Sequence, residues 1–111
     1  MDMIETETRY PGMPLSNSRI IQKYPLDVGR NKIKIPECAS ILTAQLQKDI
    51  ICLWVLDTPA AFALAKNSDS PGRTFDIVGT GHPFGKNRET YKYISTVQLY
   101  SFVWHIFEAF I

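Results

Sequence analysis

Ile50–Leu56 restricts the fold of this chain more than any other segment. It is apolar at every position, so as a strand it must be covered on both faces. Its shortness and β-branched content favour strand over helix. The run just before it alternates: Ile41–Gln47 places Leu42, Ala44 and Leu46 on one face and Thr43, Gln45 and Gln47 on the other. Lys48-Asp49 lies between the two runs. If Gln47 and Ile50 flank a two-residue turn, the resulting hairpin sets Cys52 opposite Gln45.

Other runs read the same way. Ser18–Tyr24 ends at Pro25, and a turn is expected through Asp27-Val28-Gly29-Arg30-Asn31. Lys32–Ile35 alternates and is closed by Pro36. Arg73–Val78 places Phe75 and Ile77 on one face, and Tyr91–Leu99 and Phe102–Phe107 join around Tyr100-Ser101. Seven short strands in about 90 residues indicate an all-β fold, a small seven-stranded antiparallel sandwich or a partly open barrel. The 58–67 connection contains Pro59–Lys66, which is rich in helix formers. Thr58 is its candidate cap and Pro59 sits in the first turn, so one short helix is expected there.

At 111 residues the chain is one domain. Residues 1–17 carry Pro11, Gly12, Pro14 and scattered acids without apolar periodicity. They read as a flexible leader before a single all-β domain over 18–111. A formal charge of +1 argues against dedicated nucleic-acid binding, which needs a basic face. Cys38 and Cys52 are too few for a zinc site, and Cys38 lies well outside the hairpin that sets Cys52 opposite Gln45, so both read as small reduced side chains suited to the cytosol. The acidic start lacks the regions of a signal peptide, and the longest apolar runs are too short to span a bilayer. No membrane association and no cofactor are expected.

Gly79-Thr80-Gly81-His82-Pro83-Phe84-Gly85 holds one of only two histidines. Its glycines allow positive φ and could aim backbone amides at an anion, with Thr80 and His82 adding donors and Lys86 and Arg88 nearby. It matches neither standard phosphate-loop pattern, and a tight turn with His82 against Pro83 or Phe84 is the competing reading. His105 alternates with Val103 and Phe107 and reads as a hydrogen-bonded strand histidine. Glu108 could orient a histidine, and a His82/His105/Glu108 metal site would need the loop to fold over the last strand. No nucleophile sits at an identifiable elbow or helix start, so an enzyme is not expected. The aromatic C-terminal third exceeds what one buried face requires, which makes Phe102, Trp104, Phe107 and Phe110 candidates for a subunit interface and the chain a candidate homo-oligomer.

Several segments taken in order carry a resemblance: Ile21-Gln22-Lys23-Tyr24-Pro25-Leu26, Ile35-Pro36, Ile41–Gln47, Cys52-Leu53-Trp54, Gly79-Thr80-Gly81-His82-Pro83 and Val103-Trp104-His105-Ile106-Phe107-Glu108. The series resembles a family of small tailed-phage and prophage proteins known only as a domain of unknown function, over about residues 20–108. This chain has Lys48-Asp49 where that pattern carries Asn-Gly, and its leader and its tail Ala109-Phe110-Ile111 fall outside the resembling core. The resemblance implies a phage source and the cytoplasm of an infected host; it implies no activity. The expected function is an accessory protein that binds a host factor, such as an antiphage defence component. A nucleotide-signal sponge using the Gly79–Gly85 loop as a site for a small anionic ligand, and a virion structural or assembly role, are the alternatives.

Overall fold

The computed structural model describes residues 18–85 and 88–110. The expected leader at 1–17 lies outside the described residues, as do Lys86, Asn87 and Ile111. The strands are β1 (Ile20–Pro25), β2 (Gly29–Ile33), β3 (Ser40–Gln47), β4 (Ile50–Asp57), β5 (Arg73–Gly79), β6 (Thr90–Leu99) and β7 (Phe102–Phe110), with α1 (Pro59–Lys66) between β4 and β5. They form a sandwich of two antiparallel sheets, ordered β1-β4-β3 and β2-β5-β7-β6. β4 is the central strand of the smaller sheet, and its Leu53 and Val55 are completely buried. From the larger sheet Phe75, Ile77 and Ile106 meet them to form the centre of the core.

The β3–β4 register pairs Gln47 with Ile50 and Gln45 with Cys52. Lys48 and Asp49 both hold positive φ, 51° and 65°. That is the backbone a type I′ turn requires, adopted here without the usual Asn-Gly. Farther along, a β-bulge between Ile41 and Thr43 interrupts the alternation. Leu42 is turned outward and half exposed, and Ile41 packs on the core in its place. Expectation and structure part here because a bulge shifts side chains between faces.

The second strand begins earlier than alternation suggested. The expected turn through 27–31 is cut short: the Asn31 side chain accepts from the Asp27 amide at 2.9 Å and donates to the Asp27 carbonyl at 2.9 Å. The chain is already strand at Gly29, whose φ is +99°. Ile35 is buried but beyond the ladder, its amide donating to the Ile33 carbonyl two residues back. Its apolarity reported burial rather than strand pairing.

α1 forms where propensity and capping agree. The Thr58 hydroxyl accepts from the Ala61 amide at 3.1 Å, Pro59 opens the first turn, and Phe62 is the residue the helix buries. Cys38 is exposed, Cys52 is buried, and both are free. No helix among the described residues is long and apolar enough to cross a membrane.

Candidate functional site

β5 and β7 deliver the glycine-framed loop. Gly79 pairs with Trp104 at the end of the β5–β7 ladder. A Cβ at Gly79 would lie 2.8 Å from His82 Nδ1 and 3.2 Å from the Trp104 ring. His82 thus folds back over Gly79 and meets Trp104 edge-on, with ring centroids 6.5 Å apart. Its amide donates to the Gly79 carbonyl at 3.1 Å, and Gly81 takes a φ of +85°, which closes a β-turn. The Thr80 amide donates to the Val103 carbonyl at 3.2 Å. An anion cradled here would have to displace both bonds. Lys86 is outside the described residues, and Arg88 is exposed.

The Thr80 side chain leads to the other histidine. Its hydroxyl lies 2.7 Å from His105 Nε2, Thr96 Oγ1 lies 3.0 Å from His105 Nδ1, and the Tyr93 hydroxyl lies 2.8 Å from Thr96 Oγ1. This chain of hydroxyls fixes the imidazole at both nitrogens on the outer face of the larger sheet. Trp104, beside it in β7, projects to the opposite face and carries His82 there. The two histidines therefore do not converge. Glu108 serves neither of them, because Arg73 holds it bidentately at 2.6 and 2.8 Å. Among the described residues no group of three or more His, Cys, Asp or Glu could hold a metal ion.

What the loop does is lay an aromatic side chain on the outer face. Phe84 stacks on Phe107 at 4.9 Å and meets Tyr91 edge-on at 5.0 Å, while Tyr93 approaches Phe107 at 5.7 Å. Phe84 remains 46% exposed and Tyr93 57%, so the cluster presents ring faces and edges to solvent. The four residues expected at an interface do not share one surface. Phe107 belongs to this outer cluster; Phe102, Trp104 and Phe110 alternate with it and project from the other face of β7.

Beside the cluster is a charged clasp that sequence reasoning missed. Arg30 of β2 donates to both Asp76 oxygens at 2.9 and 2.8 Å, and to both Glu89 oxygens at 2.9 and 3.0 Å. The Tyr91 hydroxyl also donates to Glu89. The hydrogen bonds Arg30 donates to Asp76 and then to Glu89 raise its pKa, so the guanidinium stays charged. The Glu89 bond likewise pushes the Tyr91 phenol above its ordinary range. Alternation with Phe75 and Ile77 places Asp76 on the outward face, where a carboxylate needs no partner; its burial to 6% exposure, which does demand a charged partner, appears only in the structure. Nothing local names that partner, which lies 46 residues away.

The clasp and the aromatic cluster lie side by side on the outer face, and the exposed rings of Phe84 and Tyr93 pack against Phe107. Such a surface can recognise a partner by shape and ring contact.

Neither a curated protein nor a solved structure matches the chain. A family model does, over residues 17–110. That span runs from before β1 to the end of β7, so Ala109 and Phe110, expected outside the shared core, fall inside it. The family's unit is the whole sandwich, and the chain belongs to the family described as Domain of unknown function (DUF7352).

Proposed function

We propose that this chain is a phage- or prophage-encoded accessory protein that acts by binding a host protein through the outer face of the β2-β5-β7-β6 sheet. One observation carries the binding surface: Phe84 and Tyr93 stay about half exposed while packed on Phe107. Aromatic side chains held in place lose little entropy on association, and for that reason they dominate many interfaces. The phage source rests on the ordered series of segments from Ile21 to Glu108. The setting is then the cytoplasm of the infected bacterium, and a component of antiphage defence is the class of target.

The test is affinity capture from host lysate with the wild-type chain, the Phe84→Ala/Tyr93→Ala double variant and a Leu64→Ala control on the far helix. One host protein should be retained by wild type and control and lost with the double variant. Equal retention by all three would remove this face from the reading. A self-association that sedimentation shows to be broken by the same double variant would assign the face to a second copy of the chain instead.

A further inference from the structure

β1 and β2 leave one side of the sandwich open. Each is the terminal strand of its sheet, with a single neighbour among the described residues. α1 stands between them and creates a groove of 550 Å³ walled by Ile20 and Tyr24 of β1, Ile33 of β2 and Phe62 of α1. The Tyr24 and Phe62 rings lie 6.4 Å apart. Lys34 and Lys66 line the groove as well, and among the described residues no carboxylate does. Lys34 Nζ donates to the Ser68 carbonyl at 2.9 Å, and neither lysine forms an ion pair among the described residues, although Glu37 and Asp57 line the neighbouring cavity that Lys34 also borders. A groove with apolar walls and two positive charges sits beside an unpaired strand edge. The edge offers backbone donors and acceptors in a row. The walls take alternate side chains of an added strand, and the lysines select its charge.

We infer that the β1 edge is a docking site for an extended acidic peptide segment of a partner protein. The segment adds a strand to β1, sets apolar side chains between Tyr24, Ile33 and Phe62, and places carboxylates beside Lys34 and Lys66. This surface shares no residue with the aromatic cluster and stands or falls independently of it.

The probe is a short synthetic peptide in which glutamates flank alternating valines, titrated into the isotope-labelled chain and followed by amide chemical shifts. Shifts confined to Ile20–Pro25, to Ile33 and Lys34, and to α1 are expected. Affinity should fall roughly tenfold in Lys34→Glu/Lys66→Glu, the loss of two exposed charge contacts, and stay unchanged in Lys32→Glu on the same side of the molecule. A peptide with alternate backbone amides methylated should not bind. Equal binding of the lysine-for-glutamate peptide, shifts centred on the β3 or β6 edge, or no binding at millimolar peptide would each overturn the assignment.

Discussion

The two seams of this sandwich solve the same problem in opposite ways. On one side the terminal strands β3 and β6 run beside each other, and the buried Ala44 amide of β3 donates to the Ser95 hydroxyl of β6 at 3.0 Å. The Thr43 hydroxyl joins the same oxygen at 3.1 Å. Both strands bulge next to this stitch, between Ile41 and Thr43 and between Tyr93 and Ser95. Below it Arg73 holds Glu108 and reaches the carbonyls of Pro36 and Ala39, tying the approach to β3 onto the other sheet. On the opposite side β1, β2 and α1 border a groove, and the outer edges of β1 and β2 have no paired strand among the described residues. The contrast shows that closing a sandwich takes more than apposed edges. A side chain must supply the acceptor that a neighbouring strand would have provided, and Ser95 does so at one seam only.

That contrast can be broken at the sealed side first. Glu108→Ala would leave the largely buried Arg73 guanidinium without its carboxylate, and should cost about 4 kcal/mol by urea denaturation. A loss below about 1 kcal/mol would mean that the backbone carbonyls around Arg73 hold it without Glu108. Ser95→Ala isolates the stitch: the Ala44 amide loses its acceptor, and about 2 kcal/mol should go with it. Faster exchange of that amide is the accompanying signature, and unchanged exchange would show that packing alone seals the seam. Stiffening the hairpin that carries β3 should act in the other direction. Lys48→Asn with Asp49→Gly relieves two left-handed non-glycine residues and should add about 1 kcal/mol, even with the 3.3 Å contact from the Tyr100 hydroxyl to Asp49 removed. A net loss would give that contact between the two hairpin tips more weight than the turn itself.

The smallest effect reports on the open side. Partial burial in the groove pushes the Tyr24 phenol above its ordinary range. A tyrosine with a raised folded pKa favours the native state in its neutral form. Its contribution is therefore complete below the ordinary value of about 10 and declines as pH rises through the folded value. Absorbance titration of wild type against Tyr24→Phe should reveal one late-ionising phenol. Peptide bound in the groove should delay that phenol further, and no delay would mean the groove stays wet when occupied.

How much of this was legible beforehand follows from the range over which each interaction acts. The hairpin register at Gln47 and Ile50, the Thr58 cap and the inward faces of Phe75 and Ile77 depend on neighbours a few residues apart, and pattern reaches them. The second strand was displaced because Ile35 is apolar for core burial while its backbone makes a local turn. Leu42 was placed inside because alternation has no symbol for a bulge. The clasp of Arg30 with Asp76 and Glu89 joins residues 46 and 59 positions apart, and the pair of Arg73 and Glu108 spans 35. Charged residues at such separations obey no period, so their meeting is a product of topology. The loop at Gly79 was correctly located between strands, but the bonds made by its amides depend on the Val103 carbonyl brought alongside by β7.

Gly79 has a wider lesson. Its φ is not in the left-handed region, so the absence of a side chain there serves space rather than backbone freedom. The room it leaves is taken by the imidazole of His82 and the indole of Trp104. Across a set of relatives such a site would co-vary with the bulk at positions 82 and 104: alanine at 79 would need a slimmer residue at 82, where the Cβ would come within 2.8 Å, and a small shift or slimmer residue at 104. A glycine kept by a ligand's phosphate would show no such dependence. The same three-residue signature can thus be sorted into packing or binding by asking which other positions move with it.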